Sequence, residues 1–218
     1  QMTYLEYKKK IEFGKEEYDY IDAYCKEKPI AWTASPWDIP SLEFLLEYDL
    51  PFLKIASASN ANEDLLKKAC ESKKTLIVST GMSTWEELDK TVSFLERYSE
   101  GNYILMHTNS AYPAPASELN LRMITALKKR YNCIVGYSGH EIDLEPSVVA
   151  VSLGAKVIER HVTLDHNMWG TDQAASLSVA AMAMLHGRMK EILTMLGDGE
   201  KVITEREKEV RKKLRGDK

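Results

Sequence analysis

A chain of 218 residues, 44% hydrophobic and 28% charged, is long enough for one domain with a sizeable core and has the composition of an ordinary globular protein. Its net charge of −4 argues against a nucleic-acid footprint. No apolar run approaches the roughly 20 residues that span a bilayer, and no secretory signal pattern opens the sequence.

Three cysteines, Cys25, Cys70 and Cys133, lack CxxC spacing and are odd in number. They are expected to be reduced, structural residues of a cytoplasmic protein. Gln1, Met2 and Thr3 run straight into a helical pattern. The expectation is that residues preceding them in the natural protein are missing.

Residues 4–28 are rich in Glu, Lys and Tyr at helical spacing, with a break expected near Gly14. An alternation of strand and helix patterns follows. Strands are expected at residues 29–36, 52–57, 75–80, 103–110, 133–140 and 155–161. Helices are expected at residues 39–47, 62–71, from Ser83 onward, and at 118–130. Ser83 and Glu86 have capping-box spacing. EPSVVAVSLGA, closing on Gly154, links the last two strands, and a long helix is expected over residues 179–196. The ending, GDGEKVITEREKEVRKKLRGDK, is a charged tail from about residue 200, read as a solvated helix or a disordered end.

Strict alternation predicts a parallel sheet with helical crossovers. The strands are continuously apolar, as when both faces are buried. No glycine-rich fingerprint follows the first strand, so an open dinucleotide-binding sheet does not fit. Six units of about 25 residues fit a (β/α)8 barrel, a single domain lacking its first two strand–helix units, since a complete barrel takes about 250 residues.

In such folds ligands sit at the carboxyl ends of the strands. Strand one ends with Thr33, Ser35 and Asp38; strand two carries Lys54, Ser57 and Ser59; strand three carries Ser79 and Thr80. Strand four gives His107, Ser110 and Tyr112, strand five Ser138 and His140, and strand six His161 and Thr163, with Asp172 beyond. Two histidines at the ends of consecutive strands could share one metal ion, although a lone histidine is more often a hydrogen-bonded core residue. Small hydroxyls around one lysine suit an oxyanion such as phosphate. Serine alone is weak support, because it also caps turns. Lys54 lies inside an apolar run, where an uncompensated ammonium is costly.

Six stretches, KIASASNAN, VSTGMST, HTNSAYPAP, GYSGHE, IERHVTLD and GTDQAASL, occur in this order over nearly the whole chain. Together they resemble the sialic acid (N-acetylneuraminate) synthase family. The resemblance implies a (β/α)8 barrel that condenses phosphoenolpyruvate with an N-acetylated amino sugar, typically N-acetylmannosamine, and releases phosphate. It implies a divalent metal, often Mn2+, with Mg2+ or Co2+ as other possibilities, and a cytoplasmic homodimer. By motif match, His140 and His161 correspond to the metal ligands. Lys54, Ser57, Ser79, Ser110 and Ser138, with Ser35 added, correspond to the phosphoenolpyruvate cradle. Tyr112 and Asp172 correspond to amino-sugar contacts, and the expected catalytic set is His140, His161, Asp172 and Lys54.

The sequence departs from the family pattern at Gly139, where Asp is usual, at Gln173, where His is usual, and at Ser59, where Glu is common. The family's first two strands, with a catalytic Glu, and its C-terminal antifreeze-like domain have no counterpart here. The fragment alone is therefore expected to lack the full catalytic set. Alternatives of the same chemistry are a pseudaminic- or legionaminic-type synthase and a 3-deoxy-octulosonate phosphate synthase. The last would need a second basic site. An alternative of another class is a non-catalytic sugar- or phosphate-binding barrel, for which a histidine pair would have no use.

Overall fold

The computed structural model describes residues 3–216. The expectation about the start of the sequence, and the last two residues of the charged tail, lie outside these residues. Two helices come first, α1 (Tyr4–Ile11) and α2 (Lys15–Glu27), separated at Gly14 as the sequence indicated. Five parallel strands then form one sheet in sequential order: β1 (Phe52–Ile55), β2 (Thr75–Ser79), β3 (Tyr103–Thr108), β4 (Ile134–Gly139) and β5 (Ile158–Arg160). The sheet is curled, as part of a barrel wall. The helices α3 (Ile39–Leu45), α4 (Glu63–Glu71), α5 (Trp85–Tyr98), α6 (Met123–Tyr131) and α7 (Glu145–Ser152) precede or follow these strands.

Helices α3, α4 and α5 begin where a side chain meets an orphan amide. Asp38 accepts from Ser41 N, and Asn62 accepts from Leu65 N. The helices turn Leu42, Leu65, Leu95, Leu127 and Ala150 toward Leu53, Leu76, Leu105 and Val135 of the strands, forming one buried cluster. Burying a leucine removes enough apolar surface to contribute about 2 kcal/mol. This layer therefore fixes the sheet, and the sheet in turn fixes which residues stand at the strand ends. The last strands, β6 (Val162–Thr163) and β7 (Leu177–Ser178), pair with each other and lead into α8 (Val179–Leu196). A final helix, α9 (Glu205–Arg215), has no buried residue. Among the described residues no helix is long and apolar enough to cross a membrane.

Several expectations need correction. Residues 29–36 form no strand. The side chain of Thr33, not a backbone amide, donates to Phe52 O at 3.0 Å, and Trp32 and Ala34 pack against the core. The Trp32 indole N–H goes to Asp22 at 3.1 Å. The apolar content of this stretch thus serves packing, without a ladder. The strand expected at residues 155–161 is two short pieces, β5 and β6, on either side of His161, whose carbonyl accepts from Leu177 N at 2.8 Å. The capping box of α5 is Thr84 with Glu87, one residue later than expected, and Ser83 instead bonds Asn60 and Gly81. The helix expected from residue 118 starts at Met123, after a 3-10 turn at Ala116–Glu118. Burial in β1 and β2 alternates, because one face looks into the open interior of the curl.

Candidate functional site

The ten residues to which the resemblance gave a site role all line one cavity of about 470 Å3 at the carboxyl ends of the strands: Ser35, Lys54, Ser57, Ser79, Ser110, Tyr112, Ser138, His140, His161 and Asp172. Register explains the gathering. Parallel pairing sets Lys54 beside Ile77, Ser79 beside Met106, Thr108 beside Ser138, and Gly139 beside Arg160. The polar residues at the ends of neighbouring strands therefore fall at one level. Other strand-end residues are used elsewhere. His107 Nε2 meets Leu119 O at 2.7 Å, Asp38 caps α3, and Thr163 donates to Asp165 O.

One side of the cavity suits an anion. Lys54 has only 11% of its side chain exposed, and its ammonium donates to Ser79 Oγ at 2.7 Å. Burial pushes its pKa down, while Glu159 at 3.6 Å pulls the other way. Ser57 Oγ accepts from Gly81 N at 3.1 Å. Both Ser79 and Ser57 thus receive a hydrogen bond and keep their own hydroxyl protons for a ligand. Ser138 is different, since it donates to Glu159 Oε1 at 2.8 Å.

Gly81 is small by necessity. A Cβ there would lie 2.4 Å from Ser110 Oγ and 2.8 Å from Ser57 Oγ. Gly81→Ala is therefore expected to splay the two serines at a cost of about 1–3 kcal/mol, lowering affinity for a phosphate-bearing ligand roughly tenfold or more. Ligand titration together with a melting curve checks this, and unchanged affinity would remove Gly81 from the site.

The other side holds the histidines. Their ring centroids are 5.3 Å apart. His140 Nδ1 meets Asn109 O at 2.6 Å, so that nitrogen is the donor and Nε2 is left as the acceptor. Burial pushes the His140 pKa down, which keeps the ring neutral, the form that binds metals. Tyr112 stacks on His140 at 4.0 Å between centroids and meets His161 edge-on at 5.5 Å. Asp172 Oδ2 lies 3.9 Å from His161 Nδ1. Among the described residues no group of three or more His, Cys, Asp or Glu is arranged to hold a metal ion. The two imidazoles fit a divalent ion as a pair of nitrogen ligands, leaving its remaining positions to water or substrate.

Sequence reasoning missed Glu159, which lines the cavity and links Ser138 to Lys54. The signal was its place in IERH, two residues before a histidine, a spacing that puts both side chains on one side of an extended chain.

The fold and site define a class: a parallel α/β barrel segment with a polar ligand cavity at its carboxyl-end rim. The chain belongs to the NeuB family, whose model matches residues 1–201. It is 42% identical over 176 residues to the N-acetylneuraminate-9-phosphate synthase of Drosophila melanogaster, covering 80% of this chain and 47% of that protein. It is 35% identical to the N,N'-diacetyllegionaminic acid synthase of Campylobacter jejuni, covering 96% of this chain and 65% of that protein. The crystal structure of the N-acetylneuraminic acid (sialic acid) synthetase from Leptospira borgpetersenii, in complex with citrate, superposes with a TM-score of 0.86 at 34% identity. That match covers 94% of this chain and 72% of the solved one. The chain spans about half to two thirds of the length of these curated relatives.

Proposed function

We propose that this protein condenses phosphoenolpyruvate with N-acetylmannosamine, or a closely related N-acetylated amino sugar, to give a sialic-type acid and phosphate. The observation that carries the reading is the cavity itself, where Lys54 and its serines face two imidazoles across one space. Family membership and the relatives' names support the class of reaction.

In this reading Lys54, Ser57 and Ser79 hold the anionic end of phosphoenolpyruvate with donors already aimed, and Ser110 and Ser35 complete the wall. Ser138 can join them once Glu159 turns to another partner. Tyr112 and Asp172 flank the sugar beside the histidines. His140 and His161 would hold the metal, Mn2+ by preference with Mg2+ or Co2+ as substitutes. When bound, such an ion polarises an aldehyde oxygen and stabilises the negative charge that develops there. The enol carbon of phosphoenolpyruvate forms the new bond to the aldehyde carbon, water adds at the carbon bearing phosphate, and C–O cleavage releases phosphate.

The chain is read as part of a (β/α)8 barrel, working in the cytoplasm as a homodimer, which sedimentation measurements of mass on the full-length protein can check. Among the described residues lining the cavity, Lys54 is the one Lys or Arg, and it is assigned to phosphoenolpyruvate. The 9-phosphate named for the Drosophila relative sets the competing arm, because adding three carbons moves C6 of the sugar to C9 of the product. The test is phosphate release from phosphoenolpyruvate by full-length protein, with N-acetylmannosamine or its 6-phosphate, with and without Mn2+. Release with the free sugar is expected. Release with the 6-phosphate alone would overturn the sugar assignment, and no release with any N-acetylated amino sugar would sink the reaction.

A further inference from the structure

Behind the two histidines lies a buried ion pair that the proposed chemistry does not use. Glu141 follows His140 directly, and Arg160 directly precedes His161. Arg160 Nη1 sits 3.0 Å from Glu141 Oε1, with side-chain exposures of 0% and 4%. The same nitrogen reaches Asp143 O and Ser147 Oγ, both at 3.0 Å, and Nη2 donates to Glu141 O. Tyr137 donates its hydroxyl to the other oxygen of Glu141 at 2.8 Å. Gly139 leaves room for this, since a Cβ there would lie 2.7 Å from both carboxylate oxygens.

Two features point beyond stability. The ladder between β4 and β5 ends at the pair Gly139 and Arg160. Past that point no strand pairing joins His140 to His161, and the ion pair takes over where the backbone stops. The pair is also poorly suited to stabilising the fold. Arg160 Nε is buried with no hydrogen-bond partner. Buried ion pairs are often replaceable by apolar residues of similar volume without loss of stability.

We infer that the Arg160–Glu141 pair is a positioning clamp, which sets the spacing of His140 and His161 so that both can reach one divalent cation. This rests on the reading of the two histidines as metal ligands. Neither clamp residue lines the cavity, so each acts through the histidine beside it.

The test is Mn2+ binding to the full-length protein, followed by loss of the free-ion electron paramagnetic resonance signal, alongside melting temperature and phosphoenolpyruvate affinity without metal. Arg160→Met alone strands a buried carboxylate and can unfold the protein. The decisive variant is therefore Glu141→Leu with Arg160→Met, which removes both charges and keeps volume. It leaves the buried Tyr137 and Ser147 hydroxyls without their charged partners, so it is expected to melt a few degrees lower while staying folded, to bind phosphoenolpyruvate unchanged, and to lose Mn2+ affinity about 10- to 100-fold, as outer-shell changes do. Wild-type Mn2+ affinity in this variant, while His161→Ala loses it, would overturn the clamp and leave the metal site standing. Parallel loss of melting temperature and of both ligands would reduce the pair to a structural role and overturn it too. Equal Mn2+ affinity in wild type and His161→Ala would remove the metal site, and the clamp with it.

Discussion

Replacing either His140 or His161 by alanine in the full-length protein is expected to lower Mn2+ affinity about 100-fold and turnover about a thousandfold. A site built on two imidazoles has no reserve. Among the described residues no third His, Cys, Asp or Glu completes a ligand group. Removing one ring leaves a single nitrogen, and with it goes the stabilisation of developing charge, worth several kcal/mol. The two positions should differ in side effects. His140 is 4% exposed, is held by Asn109 O, and lies under Tyr112, so its loss also frees the tyrosine ring. His161 is more open, with 36% of its side chain exposed, so its loss should disturb the fold less. The measurement is Mn2+ titration with phosphate release as a function of added metal. A His161→Ala protein with the wild-type Mn2+ response would end the metal assignment.

Much of this site was legible in the sequence because of how parallel sheets are built. An apolar run that closes on a polar residue marks a strand end, and in-register parallel strands bring successive ends to one rim. His140, His161, Lys54, Ser57 and Ser79 could be placed together on that ground alone. Residues 29–36 show where the argument stops. Their composition is that of a strand, yet a strand is defined by ladder partners. Here Thr33 reaches β1 through its hydroxyl while Trp32 turns to Asp22. Composition does not distinguish these outcomes.

The capping box of α5 was off by one residue because Ser83–Glu86 and Thr84–Glu87 have the same spacing. What selects Thr84 is tertiary, since Asn60 holds Ser83 from the neighbouring loop. Glu159 was hidden for a related reason. Its partners, Ser138 and Lys54, are 21 and 105 residues away in sequence, and only the curl of the sheet shows that its carboxylate meets them. The same holds for Arg160 and Glu141, 19 residues apart in sequence, which are among the most buried charged groups described.

Lys54→Met is expected to weaken phosphoenolpyruvate binding about 30- to 150-fold, the loss of roughly 2–3 kcal/mol from a charge-assisted contact in a partly dry site. Methionine keeps most of the stem's volume between Ile77 and its neighbours, so the strand itself should hold. Glu159 loses its ammonium partner, but 41% of its side chain is exposed and water can take over. In the proposed reading the amino sugar lies on the histidine side of the cavity, so its affinity should change much less. The pH dependence supplies a second signature. Burial holds the Lys54 pKa below the usual ammonium range, and the anion binds the charged form. Phosphoenolpyruvate affinity should therefore be full below that depressed pKa and fall as pH rises through it. Lys54→Met should lack this alkaline limb. The two ligands are titrated separately against wild type and variant at fixed Mn2+ across alkaline pH. Equal loss for both would point to a folding defect, which a melting curve identifies. Undiminished phosphoenolpyruvate binding in a folded variant would sink Lys54 as the anion's partner.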